Sequence, residues 1–223
     1  MKMLDHGEIE LLDYMGNDLH IVNAARQSFG QASTELGEKE VGLINFLMRE
    51  RHGTPFEMVQ FMFQVKCPIF VAREWFRHRI ASYNEYSGRY TKMMAEYYIP
   101  AREQMRKQTG KPGAYTFEPL SGSEAAFTRL DIENSCRGAW RVYEELLARG
   151  VAKEVARMHL PVNMYTQFTW SINLRSLFNF ISLRSHETAM WEIRQYSKTI
   201  EDLIRPIVPT AFEAFEKHGR TAP

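Results

Sequence analysis

The residues from Met58 to Arg79 constrain the fold more than any other stretch of this chain. Val59, Phe61, Phe63 and Val65 alternate with Gln60, Gln64 and Lys66, which is the period-two pattern of a half-buried strand ending at Cys67. Pro68 follows at once. Proline lacks a backbone N–H and is best tolerated at the start of a helix, so the sequence predicts a strand handed directly to a helix. That helix carries Phe70, Val71 and Trp75 and runs into Arg77-His78-Arg79. A half-buried strand joined to an apolar helix excludes purely helical and purely β architectures.

The same periodicities extend along the chain. Glu8 to Met15 reads as a strand closed by Gly16-Asn17-Asp18, and Asn17 or Asp18 is placed to cap a helix bearing Leu19, Val22, Ala25 and Arg26. Gly30 to Gly37 is loop-like. A second helix is expected through Val41, Ile44, Phe46, Leu47 and Met48, broken by His52-Gly53-Thr54-Pro55. Gly110 to Gly122, rich in glycine and proline, is the best loop candidate. Ser123 to Arg149 reads as a long helix ended by Gly150, and Ala152 to His159 as a short one stopped before Pro161. Val162 to Ile172 has strand spacing. Asn173 to Arg184 and Glu187 to Arg205 are predicted helical, with Pro206 and Pro209 as breakers. The expected class is α+β: helices packed around a central, mostly antiparallel sheet, in one domain spanning residues 1–223.

Beyond the strand–helix junction the chemistry changes. Arg77 to Tyr90, RHRIASYNEYSGRY, holds three arginines, a histidine, two serines and one acid. Such a stretch is either an ordinary solvated loop or a surface for anions. Arginine presents a planar fork that pairs with phosphate or carboxylate and stays charged. Ser87-Gly88-Arg89 adds a hydroxyl, a backbone without a Cβ and another guanidinium. Net charge bears on the choice. With 28 Lys+Arg against 27 Asp+Glu the chain carries +1, so its basic character is local and suits small anions better than a polyanion. A second polar group, Arg175, Asn179 and Ser182, recurs at i, i+4 and i+7 opposite Leu174, Leu177, Phe178 and Ile181.

Several familiar sites are absent from the sequence. There is no G-x-G-x-x-G, no Walker A sequence, no G-x-S-x-G elbow and no metal-ligand spacing. Cys67 and Cys136 have no paired spacing, and both read as packing residues. The N-terminal residues lack the apolar region of a signal peptide, no apolar run reaches membrane-spanning length, and the cytoplasm is the expected compartment.

Taken together, these residues resemble the flavin-dependent thymidylate synthase family. The family signature is R-H-R, seven or eight residues, then S-x-R; here it reads Arg77-His78-Arg79, seven residues, Ser87-Gly88-Arg89. Similarity continues in GNDLHIVNAARQSF, TPFE, PIFVAREWFRHR, KEVARMHLPVNMYTQFTW and NLRSLFNFISLR, and is weakest between Arg102 and Glu124. The resemblance implies methylation of deoxyuridine monophosphate (dUMP) at uracil C5. Methylenetetrahydrofolate gives the carbon, NADPH-reduced FAD gives the hydride, and tetrahydrofolate is released. It also implies a homotetramer with active sites at subunit interfaces.

By position, the resemblance assigns Arg77, Ser87, Gly88 and Arg89 to dUMP, with Glu74, Trp75, Phe76, Glu85, Tyr86 and Arg157. It assigns His52, Thr54, Arg77, His78, Arg79, Glu85, Asn173, Leu174, Arg175 and Asn179 to the flavin, and sets Arg184 against the uracil ring as the catalytic cation. Two residues depart from the pattern: Glu74 and Met190 stand where relatives often have glutamine. A rival reading makes the arginines and Tyr83, Tyr86 and Tyr90 a stacking surface for nucleic acid. Near-zero net charge disfavours it, so neither nucleic acid nor membrane is expected as a partner.

Overall fold

A computed structural model describes residues 1–223. Five strands form one antiparallel sheet: β1 (Lys2–Met3), β2 (Gly7–Met15), β3 (Gln60–Pro68), β4 (Ser82–Glu85) and, numbered in chain order after a separate hairpin, β7 (Tyr165–Asn173). Their order across the sheet is β1-β2-β3-β7-β4. The two long central strands pair from Gln60 with Asn173 to Pro68 with Tyr165. Phe61, Phe63, Val65 and Cys67 on β3 and Phe168, Trp170 and Ile172 on β7 are buried, while Gln64, Lys66, Gln167, Thr169 and Ser171 are more accessible. One face of the sheet therefore carries the core, as the alternation requires.

Each central strand passes straight into a helix. Pro68, at φ −60° and ψ 145°, opens α3 (Ile69–Trp75) after α1 (Asp18–Arg26) and α2 (Glu38–Arg49). At the other end of the sheet Asn173 closes β7 and opens α6 (Leu174–Arg184), its side chain accepting from the Ser176 N–H at 2.8 Å. Because the strands are antiparallel, these helices start at opposite ends and their far ends meet over the core face. Trp75 marks the meeting point, with ring centroids 4.9 Å from Phe180, 5.1 Å from Trp170 and 5.6 Å from Tyr196. Between these elements run α4 (Gly122–Ala148) and α5 (Lys153–Ala156), and α7 (Trp191–Ile204) and α8 (Pro209–Lys217) complete the chain.

Four expectations are corrected. The region Gly110 to Gly122 is not a loop: β5 (Arg106–Lys111) and β6 (Ala114–Pro119) form a hairpin. Its glycines serve the turn, Gly110 and Gly113 having φ of +96° and +85°, and Thr109 and Thr116 hydrogen-bond across the strands at 2.6 Å. Ser82–Glu85, inside the cationic stretch, is an edge strand on β7. The helix expected from Glu187 begins only at Trp191. The preceding helix ends at Ile204, before Pro206 as expected, but Pro209 then opens α8, a helix the sequence does not predict.

That last helix depends on a distant acid. Asp18 is buried, and its carboxylate accepts from the N–H groups of Thr210 and Ala211 at 2.8 and 3.0 Å. Burial nevertheless outweighs these bonds and raises its pKa above the usual carboxylate value. Asp18→Ala would leave two helix N–H groups unpaired in the core. It is expected to lower stability by about 2–3 kcal/mol, read as a lower urea midpoint with an unchanged denaturant slope.

Candidate functional site

The end of α3 and the polar side of α6 enclose a cleft of about 950 Å³. Its cations are Arg77, Arg79, Arg175 and Arg184; its acids are Glu57 and Glu74. The α3 helix ends in a tight turn, with the Arg77 N–H on the Glu74 carbonyl and the His78 N–H on the Trp75 carbonyl. The Tyr83 hydroxyl donates to the His78 carbonyl at 2.7 Å, tying the turn to β4. Arg77, His78 and Arg79 thus project from a braced turn and not from a free loop. Burial pushes the Tyr83 phenol up to about 12, so it remains a donor there.

Arg184 is the most constrained cation of the cleft. Its Nε donates to His78 Nε2 at 3.0 Å, its Nη1 to the Glu74 carboxylate at 3.0 Å and its Nη2 to the Glu74 carbonyl at 3.2 Å. Since Nε2 accepts, the His78 proton sits on Nδ1. Burial and the neighbouring Arg184 charge lower the His78 pKa to about 4, which keeps the ring neutral. Its ring also packs edge-on to Phe180, 4.8 Å between centroids. Arg175 pairs with Glu57 at 2.6 Å and donates to the Pro223 carbonyl at 2.9 Å. Neither Arg77 nor Arg79 has a carboxylate within ion-pairing distance.

Arg175 also lines a more apolar groove, with His52, Thr54, Phe46 and Met58. The two cavities adjoin along that side chain. Gly53 lies beneath it, and a Cβ there would fall 2.3 Å from Arg175 Nε, so any side chain at this position would displace the guanidinium.

The structure divides the residues expected from the sequence. Glu74, Arg77, His78, Arg79, Asn173, Arg175, Asn179 and Arg184 come together in the cleft, and His52 and Thr54 in the adjoining groove. Trp75 and Leu174 are fully buried, so their side chains serve the core and any ligand contact there falls to the backbone. Phe76 packs on Tyr83 and Phe168. Ser182 does not line the cleft; Ser176 and Leu183 do. Glu57 went unrecognised as a site residue, although it stands in the TPFE stretch.

A second cluster forms at the other end of β4. Gly88 is buried against Arg157, whose Cδ lies 3.0 Å from where a Cβ would be. Arg89 pairs with Glu154 at 2.9 Å, its N–H is 3.3 Å from Ser87 Oγ, and the Tyr86 hydroxyl donates to the Lys92 carbonyl. Glu85 accepts from the Thr166 hydroxyl at 2.7 Å. The four residues of β4 span three steps of ~3.4 Å, so the strand puts roughly 10 Å between this cluster and the turn bearing Arg77 to Arg79. None of Ser87, Gly88, Arg89 or Arg157 lines the cleft.

A cationic cleft beside an apolar groove, on an antiparallel α+β frame, is a site for extended anionic ligands. The model of the family described as thymidylate synthase complementing protein matches residues 10–210, and the chain belongs to that family. Among its relatives, a flavin-dependent thymidylate synthase of Thermus thermophilus is 47% identical over 218 residues, covering 98% of this chain and 78% of the relative. One from Thermotoga neapolitana is 45% identical over 219 residues, covering 98% and 95%. The solved structure of PolB, a UMP/dUMP methylase from Streptomyces cacaoi bound with 5-Br UMP, superposes with a TM-score of 0.90 at 36% identity, covering 97% of this chain and 96% of that one.

The neutral His78 gives a testable pH dependence. The unfolded chain takes up a proton near pH 6.5, the folded one only near pH 4. Stability is therefore unpenalised above 6.5 and falls as pH drops towards 4. In His78→Gln, whose amide oxygen can still accept from Arg184, that part of the slope is expected to vanish. Tm measured on both proteins across this window checks it.

Proposed function

We propose that this chain is a flavin-dependent thymidylate synthase that methylates dUMP to dTMP, with methylenetetrahydrofolate as carbon donor and NADPH as reductant. Family membership and the fixed cation of the cleft support this reading together. Arg184 is only 19% exposed in a cleft whose unpaired cations, Arg77 and Arg79, are free to meet ligand charge. A fixed guanidinium beside a pyrimidine gains energy as negative charge develops on the ring, and so favours attack from C5.

The residues present suit a flavin dinucleotide. Free arginines face phosphate, Asn173 and Asn179 offer amides, and the groove at His52 and Thr54 extends the cleft past the Gly53 cradle. FAD, when bound, supplies the hydride. The chain itself holds Arg184 in place, keeps His78 neutral and gives the ligands cationic partners. No cysteine is needed. Cys67 and Cys136 are both buried, burial pushes the Cys67 thiol well above its usual pKa, and neither lines the cleft.

The division of the cationic residues supports assembly as a homotetramer with shared sites. Ser87, Gly88, Arg89 and Arg157, a group suited to phosphate, do not line the cleft of their own chain, and a neighbouring copy would bring them to another's Arg77. No helix is long and apolar enough to cross a membrane, and a cytoplasmic location fits the proposed reaction.

The purified protein is expected to be yellow and to bleach anaerobically on addition of NADPH; a colourless protein that makes no thymidylate overturns the reading. Arg184→Ala is expected to keep its fold and flavin but to form thymidylate about 10²–10³-fold more slowly in a single turnover of pre-reduced enzyme. Cys67→Ala with Cys136→Ala is expected to retain turnover per folded, flavin-loaded subunit, with any loss confined to stability.

A further inference from the structure

The four arginines of the cleft fall into two kinds. Arg175 and Arg184, both on α6, are each paired with one of the two carboxylates, Glu57 and Glu74. Arg77 and Arg79, both on the turn after α3, are paired with none. Acids that serve only to offset charge would be expected beside any of the four. Here they sit on the two whose orientation the site must hold, and the two left free are those that meet ligand charge. Glu74 does more than neutralise. It grips Arg184 twice, through its carboxylate on Nη1 and through its own carbonyl on Nη2, while His78 holds Nε.

We infer that Glu74 is a positioning residue for Arg184: it sets the guanidinium plane so that two N–H donors, one on each terminal nitrogen, remain presented to the cleft. A guanidinium has five N–H groups, and three are engaged within the chain. The remaining two suit an acceptor atom on the ring of a bound pyrimidine. The pyrimidine itself rests on the thymidylate synthase reading; the clamp does not. These two grips from one residue, one through the backbone and one through the side chain, also join the C-terminal turns of α3 and α6. Any shift of either helix therefore moves the donor pair relative to Arg77 and Arg79. In this role Glu74 acts through Arg184 and need not touch substrate, and its charge matters less than the reach of its oxygen.

Three substitutions separate reach from charge. Glu74→Ala removes the acceptor, Glu74→Gln keeps an oxygen at the same reach without charge, and Glu74→Asp keeps the charge but withdraws it by one methylene. With pre-reduced enzyme and saturating dUMP, the Ala and Asp variants are expected to lose about tenfold in single-turnover rate, and the Gln variant to recover most of it. Flavin content should stay near wild type, and the loss in rate should persist at saturating dUMP whatever the change in dUMP affinity. Placed on an Arg184→Ala background, Glu74→Ala should add nothing, because the residue it positions is gone. Equal losses on both backgrounds, a loss wholly in dUMP affinity, or a Gln variant as slow as the Ala variant would overturn the inference. A second readout needs no turnover. The hydrogen-bonded Arg184 Nη–H resonances of the ligand-free protein, those that Glu74 accepts, should be protected from solvent exchange in wild type and Glu74→Gln, and the Nη1–H should lose its protection in Glu74→Ala. Unprotected Nη–H groups in wild type remove the clamp outright. Absence of thymidylate from a wild type whose Nη–H groups are protected removes the thymidylate reading and leaves the clamp standing.

Discussion

The packing of Trp75 is the constraint on which the rest of the structure hangs. Its ring lies between Phe168 and Trp170 on the sheet, Phe180 on α6 and Tyr196 on α7, all within 5.6 Å centroid to centroid. A fully buried aromatic of this size fixes the relative position of every element it touches, since protein interiors are packed too densely to slide. Immediately beside Trp75 in sequence stand Glu74 and the turn that holds Arg77, His78 and Arg79. On the other wall, four residues beyond Phe180, stands Arg184. The apolar contact determines where the charges lie, and the charges were free to be selected for chemistry.

That division lets an unusual electrostatic arrangement persist. Four guanidinium groups in one cleft repel one another, and the repulsion grows as water is excluded. Two are balanced locally by carboxylates, and His78 stays neutral because it is buried and because a proton there would face Arg184 across 3.0 Å. The remaining positive charge is uncompensated within the chain. Such a cleft attracts anions before any specific contact is made and becomes more stable when they arrive.

The sequence made much of this legible, and the reasons differ by feature. The central strands were readable because they are buried on one face only, which stamps period two on β3. The junction at Pro68 and the cap at Asn17 were readable because both depend on local backbone chemistry. The hairpin from Arg106 to Pro119 was not, because its glycines are as common in loops as in tight turns and its strands are exposed on both faces. The α8 helix escaped because its start is secured by Asp18, almost two hundred residues earlier, and local sequence carries no trace of that bond. In the site, the arginines announced themselves by type and spacing. Which of them would be paired, and by which acid, depends on how α3 meets α6, and only the packed structure displays it. Trp75 and Leu174 were assigned to the site by the family resemblance, and helical and strand geometry turn their side chains into the core.

The edge strand β4 gives the seven residues between Arg79 and Ser87 a meaning that composition does not convey. Those residues are a ruler. Tyr83 is pinned by its hydroxyl to the His78 carbonyl and packs on Phe76 and Phe168, while its neighbours Ser82 and Asn84 face outward. One residue added before Tyr83 would exchange these faces, exposing the ring and turning a polar side chain inward. Two residues added would keep the faces but carry the second cationic cluster roughly 7 Å further along the sheet. One added beyond Glu85, outside the paired register, would touch neither. The pleat of a strand thus keeps the two halves of the motif at a set distance, and only the residues beyond Glu85 lie outside that constraint.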